Sequence, residues 1–110
     1  MSSEKSINLH LISDSTGETL SSVARAVMSQ FENVESNDFT WPLVRTKSQI
    51  LKINESISKN PGIVMYTVLQ DDIVDCLIAH CQKIQVPYIS VLSDIVQKFS
   101  SYLNVDVNNV

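Results

Sequence analysis

The chain has 110 residues, with 8 Lys and Arg against 12 Asp and Glu and a net charge of −4. That length fits one domain able to bury about two-thirds of its unfolded surface without a disulfide or a metal. The acidic balance argues against nucleic-acid or anionic-membrane partners, which select a basic face. The longest apolar run, Ile63–Leu69, is too short to span a bilayer. Met1–Ser6 is short and polar and does not read as a signal peptide, so the cytoplasm is the expected compartment.

Residues 1–6 are expected to be disordered and 7–110 to form a single α/β domain. Ile7–Ile12 has strand length and apolar character. Leu20, Val23, Ala24, Val27, Met28 and Phe31 then recur at helical spacing, predicting a helix over about Thr16–Glu32. Within the intervening turn, Ser15-x-x-Glu18 fits a capping box with Ser15 at N-cap. Asn33–Asp38 is polar and reads as a connection. A second strand follows at about Phe39–Val44, placed at a sheet edge because Pro42 cannot donate to a ladder. Ile50, Ile53 and Ile57 share one face of a helix over about Lys47–Ser58, which Asn60-Pro61-Gly62 ends.

Ile63–Leu69 is apolar without alternation, the pattern of a central strand covered on both faces. Asp71 or Asp72 is expected to cap a third helix with Ile73, Leu77, Cys81 and Ile84 inward. A fourth strand at about Pro87–Leu92 leads into a fourth helix starting at Ser93 or Asp94. Its apolar residues are Ile95, Val96, Phe99, Tyr102 and Leu103. The last residues, from Asn104, are polar. Four βα units specify a three-layer α/β fold, Rossmann-like or flavodoxin-like: a parallel four-stranded sheet of order 2-1-3-4 with helices on both faces.

Ligands of such sheets bind beyond the carboxyl ends of the strands, where the winding reverses. Here that point lies between strands one and three, at Ser13-Asp14-Ser15-Thr16-Gly17-Glu18-Thr19, facing Gln70-Asp71-Asp72 and Arg45-Thr46-Lys47. A helix N-terminus with hydroxyls suits an anion. The phosphate-binding candidates are Ser13, Asp14, Ser15, Thr16, Gly17 and Thr19, with Arg45 and Lys47 as cations. The bland reading is a well-capped helix start, with Asp14 fixing the turn.

Other chemistry is poorly supported. The chain has two glycines, Gly17 and Gly62, which excludes both G-x-G-x-x-G and G-x-x-x-x-G-K-[ST] from it. Thr16, Gly17 and Thr19 match the flavodoxin phosphate loop [ST]-x-T-G-x-T, but Asp14 replaces a hydroxyl residue and would repel a flavin phosphate. Trp41 or Tyr66 as flavin-stacking groups compete with packing roles. His10, inside a strand, reads as a packed histidine rather than a base, and His80 as a solvated one. Cys76 and Cys81 read as small core residues. Cys76 and His80 are one turn apart, yet structural zinc needs four ligands, so no metal is expected.

The Ser13–Thr19 turn followed by a helix ending in Gln30-Phe31 resembles the pyruvate, phosphate dikinase regulatory protein family. Trp41-Pro42-Leu43-Val44-Arg45-Thr46, Ile63-Val64-Met65-Tyr66-Thr67-Val68 and Val86-Pro87-Tyr88-Ile89-Ser90-Val91-Leu92 extend the likeness from Ile7 to about Val105. The resemblance implies a regulatory Ser/Thr kinase that uses ADP to phosphorylate a threonine near the dikinase's catalytic histidine. It also implies phosphorolytic removal of that phosphate, with phosphoenolpyruvate synthase as a second target. The family's Walker-type loop for ADP or ATP lies in its second half. This chain is therefore expected to resemble the amino-terminal part, to hold no cofactor and to be inactive alone, with a homodimer among the expected states. The alternative expectation is a flavodoxin-like flavin- or phosphate-binding module without enzyme activity.

Overall fold

The computed structural model describes residues 5–67 and 69–107. Its elements are β1 (Lys5–Ile12), α1 (Glu18–Met28), β2 (Val34–Trp41) and α2 (Lys47–Lys59), then β3 (Ile63–Tyr66), α3 (Asp71–Ile84), β4 (Tyr88–Ser90) and α4 (Ser93–Leu103). The four strands form one sheet of order β2-β1-β3-β4, and every pairing is parallel. The expected order, the edge position of β2 and the inner position of β3 all hold.

Alternation along β1 distributes the core. Leu9 and Leu11 join Met65 beneath Leu20 and Ala24 of α1. Ile12 joins Val64 and Tyr66 beneath Ile50, Ile53 and Ile57 of α2 and Ile73, Leu77 and Cys81 of α3. Successive strand residues face opposite ways, so one strand supplies both layers. Each fully buried isoleucine contributes about 1.5–3 kcal/mol relative to exposure. Burial also pushes the Cys81 thiol up to about 11, leaving it an inert packing group.

Several boundaries differ from expectation. β1 begins at Lys5, ahead of Ile7, and residues 1–4 lie outside the described ones. β2 spans Val34–Trp41 rather than Phe39–Val44, so the polar stretch read as a connection is mostly strand. An edge strand exposes much of its length to water and can be polar without losing its ladder. Pro42 follows the strand instead of interrupting it, and Leu43, at φ 56°, turns the chain away. β3 ends at Tyr66; Thr67 and Leu69 continue beyond it, and Val68 lies outside the described residues. α1 stops at Met28, leaving Gln30 and Phe31 in the turn that follows. α3 starts after Gln70, which makes no side-chain cap, so neither Asp71 nor Asp72 is the N-cap. α4 buries none of its residues.

His10 occupies the middle of β1, fully buried and stacked on Phe39 at 4.8 Å between ring centroids. One ring nitrogen, Nε2, lies 2.8 Å from the Asn60 carbonyl oxygen at the end of α2; the other, Nδ1, is buried without a partner. With Nε2–H donating, the neutral tautomer satisfies the carbonyl. Burial holds its pKa below the usual 6.5, the Asn60 bond opposing this in part.

Two expected outcomes follow from this packing. A Cβ on Gly62 would stand 2.0 Å from the Asn8 carbonyl oxygen, against backbone that cannot swing aside. Gly62→Ala should therefore destabilise the fold by about 1–3 kcal/mol or more, read as a lower urea midpoint. For His10, the unfolded ring takes up a proton below pH 6.5 while the folded ring resists it. Stability should thus be retained above that pH and fall as pH drops through it, by at most about 1.4 kcal/mol per pH unit. Urea midpoints between pH 7.5 and 5.5 should show the slope, and His10→Gln should flatten it.

Candidate functional site

β1 ends at Ile12, and the chain then crosses the point where the sheet's winding reverses. Ser13 is the residue on which the surrounding loops converge. Its N–H donates to the Trp41 carbonyl (3.0 Å), and its own carbonyl accepts from Val44 N–H (2.9 Å). Both bonds tie the end of β1 to the segment that follows β2. Its hydroxyl accepts from Ser15 N–H (3.0 Å) and from the Thr67 hydroxyl (3.2 Å), and lies 3.1 Å from Ser15 Oγ. Ser13 and Thr67 are both buried. Their mutual bonding removes the cost of burying two hydroxyls.

Ser13 therefore shapes the turn from below, and its hydroxyl is already engaged. Ser15 is exposed, and its carbonyl accepts from Leu43 N–H at 2.9 Å. Asp14 is half-buried; its backbone carbonyl accepts from Arg45 Nη2 at 3.4 Å. Arg45 is thus brought to the turn. Lys47 is exposed at the start of α2, with no hydrogen bond to the turn among the described residues. Thr16 and Thr19 are exposed, and their hydroxyls are unpaired among the described residues.

The capping box expected at Ser15 and Glu18 does not form. Gly17 is the N-cap of α1, at φ 85° and ψ 5°, without a side-chain cap. Helix geometry begins two residues later than the pattern suggests, because the left-handed step at Gly17 is what redirects the chain. Among the described residues, the first-turn N–H groups of Glu18 and Thr19 consequently have no side-chain cap. A capping box does form at α2. Thr46 Oγ1 accepts from Gln49 N–H (3.2 Å), and Gln49 Oε1 accepts from the N–H groups of Thr46 (3.0 Å) and Arg45 (2.7 Å). This box fixes the backbone that presents Arg45.

Thr67 was not singled out from sequence, since it reads as one residue of an apolar run. It links the turn to a neighbouring cleft of about 420 Å³ that Tyr66, Asp71, Ser90 and Ser93 also line. Of the Gln70-Asp71-Asp72 group, Asp71 alone lines that cleft. The Tyr66 hydroxyl is held above its usual pKa by burial, against the opposing effect of its bond to Ser90. Tyr66 and Trp41 both pack against the α2/α3 core. Elsewhere, His80 Nε2 lies 2.8 Å from Ser58 Oγ across α2 and α3. Among the described residues no three His, Cys, Asp or Glu side chains gather as a metal site.

A family model described as kinase/pyrophosphorylase matches residues 9–110. Curated relatives bear the name pyruvate, phosphate dikinase regulatory protein. That of Bradyrhizobium sp. (strain ORS 278) is 46% identical over 96 residues, covering 87% of this chain and 34% of the relative. The Nitrobacter hamburgensis relative is 45% identical over the same shares. That of Bartonella henselae is 40% identical over 105 residues, covering 96% and 38%. The chain spans about a third of the length of the curated relatives it matches.

The left-handed start of α1 makes a conformational prediction. A Cβ on Gly17 would meet Thr40 Cγ2 at 3.7 Å, an ordinary contact, so space is not the obstacle. Gly17→Ala should cost about 1–2 kcal/mol through the left-handed penalty alone, and Gly17→Asn less. Thermal unfolding of the two variants, compared side by side, checks both the size and the ranking.

Proposed function

The chain belongs to the kinase/pyrophosphorylase family, and we propose that it supplies one domain of a regulator of pyruvate, phosphate dikinase or phosphoenolpyruvate synthase. The names of its relatives support this reading. The proposed regulator transfers the β-phosphoryl group of ADP to the hydroxyl of a target threonine: the P–O–P bond breaks, a P–O–C bond forms and AMP leaves with the hydroxyl proton released. It removes that group by attack of inorganic phosphate on the phosphothreonine: a P–O–P bond forms, pyrophosphate leaves and the hydroxyl is restored. Both directions bring two phosphate groups together, so anion-binding groups are needed beyond the nucleotide loop.

The observation that carries the domain's part is the placement of Arg45 beside the Ser13–Thr19 turn, at the carboxyl end of β1. We assign the turn a phosphate-sized anion, held by the N–H groups of Glu18 and Thr19, the Ser15, Thr16 and Thr19 hydroxyls and Arg45. Ser13 and Gly17 act by shaping the backbone. Asp14 and Glu18 oppose a bound anion at short range. The helix end contributes only about 0.3–1 kcal/mol, so Arg45 decides whether binding is measurable. Lys47, on the first turn of α2, is a weaker contributor. ADP or ATP belongs on a Walker-type loop outside this chain. The proposed compartment is the cytoplasm; no described helix is long and apolar enough to cross a membrane.

Two outcomes check this reading. Phosphate titration followed by amide NMR should shift residues 13–19 and 45–47 in the tens-of-millimolar range, a weak affinity set by the dipole term. Arg45→Ala should abolish the shifts, and Lys47→Ala should weaken them. Incubated alone with a target dikinase and labelled ADP, the chain should leave the threonine unlabelled, because it has no loop to hold the nucleotide.

A further inference from the structure

β3 and β4 end side by side at Tyr66 and Ser90, and each runs through a short loop into a helix. Between those helices, α3 and α4, lies the cleft of about 420 Å³ that Thr67 borders. Its lining is of two kinds. Val74, Ile78 and Val96 are apolar, while Tyr66, Thr67, Ser90 and Ser93 carry hydroxyls. Apolar walls with a few polar groups are the mark of a ligand site, and the volume falls within the usual range of about 300–1,000 Å³. The position, beyond the carboxyl ends of two parallel strands, is where open α/β sheets bind ligands.

The polar groups suit a polypeptide backbone. Burial keeps the Tyr66 hydroxyl protonated and able to donate. α3 and α4 both start without a side-chain cap, and their first residues, Asp71 and Ser93, line the cleft. First-turn N–H groups without a cap are donors for the carbonyls of an extended chain. The protein's own chain shows what the cleft accepts. After α4, residues 105–107 are neither helix nor strand, and Val107 lines the cleft while remaining 37% exposed. An aliphatic side chain on non-helical polypeptide thus already reaches it. Asp71 is the one charged side chain in the described lining. It disfavours a phosphate there and favours a cation.

We propose that this cleft receives the target polypeptide beside its phosphorylated threonine, as an extended segment bearing one aliphatic and one basic side chain. The aliphatic group enters between Val74, Ile78 and Val96, and the basic group meets Asp71. The phosphate stays with Arg45 at the Ser13–Thr19 turn, so the proposal rests on that assignment. It adds that α3 and α4 select the sequence around the threonine. Thr67 joins the two places: it lines the cleft and donates to Ser13 under the turn. An extended chain advances about 3.3 Å per residue, so roughly two to four residues reach from one to the other.

The test is titration of the chain with short phosphothreonine peptides, followed by amide NMR. One pair carries leucine and arginine, placed before the phosphothreonine in one peptide and after it in the other. The controls carry glycine and serine instead. At least one leucine–arginine peptide should shift residues 66, 67, 71 and 90–97 together with 13–19 and 45. It should bind at least about fivefold more tightly than its control. Asp71→Asn should remove the preference for arginine over glutamine in the peptide. Ser93→Trp, which fills the cleft, should bring the leucine–arginine peptide down to the control's affinity and leave the shifts at 13–19 in place. Both positions are exposed, and circular dichroism checks that each variant stays folded. Equal binding of both kinds of peptide, with shifts at 13–19 and 45 alone, overturns this proposal and leaves the phosphate assignment standing. Shifts in the cleft without shifts at the turn overturn the phosphate assignment, and with it the placement of the threonine. Selective binding that is indifferent to Ser93→Trp also overturns the proposal.

Discussion

The buried bond between the Ser13 and Thr67 hydroxyls holds together what the rest of the candidate site depends on. β1 and β3 are neighbours, and their carboxyl ends must stop at the same height for a turn to cross the gap. Thr67 N–H donating to the Ile12 carbonyl and Thr67 Oγ1 donating to Ser13 Oγ extend the β1–β3 pairing past the last ladder residue. Ser13 does the same toward β2 through Trp41 and Val44. Three loops are thereby locked to one residue. Leaving one of the two hydroxyls buried and unpaired would cost about 1–3 kcal/mol and release the turn.

From that anchor the local geometry follows in steps. The turn needs a left-handed residue to start α1, and Gly17 supplies it. The β2–α2 segment needs a fixed path, which the Thr46–Gln49 box provides, and Arg45 lies on that path. No single residue of the turn makes an anion site. The site, as proposed, arises where an uncapped helix start and one arginine are brought to a shared position by hydrogen bonds from Ser13 and Gln49.

The fold was largely legible because β3 is apolar without alternation while the rest of the pattern alternates strand with helix. Those two facts force an inner β3 and a parallel sheet. β2 was less legible, since Val34-Glu35-Ser36-Asn37-Asp38 looks like a loop, and only its partner β1 makes it a strand. The capping error has a similar origin. Ser15-x-x-Glu18 and Thr46-x-x-Gln49 carry the same signature, and only the left-handed step at Gly17 decides between them. Arg45 was visible as a cation, but its reach to Asp14 depends on the turn after Pro42. Thr67 could have been noticed as the one aliphatic hydroxyl in the apolar run Ile63–Leu69. The apolar stripe of α4 was visible as well; that nothing in the described chain covers it was not.

The central claim is that this domain contributes a phosphate-handling surface to the proposed regulator. The 96 matched residues can be exchanged for the corresponding segment of the Bradyrhizobium relative, and phosphate-dependent removal of the threonine phosphate from a dikinase measured against phosphate concentration. The account predicts an active chimera, with Arg45→Ala raising the phosphate KM and leaving dikinase binding intact. A chimera in which Arg45→Ala leaves that KM unchanged would contradict it.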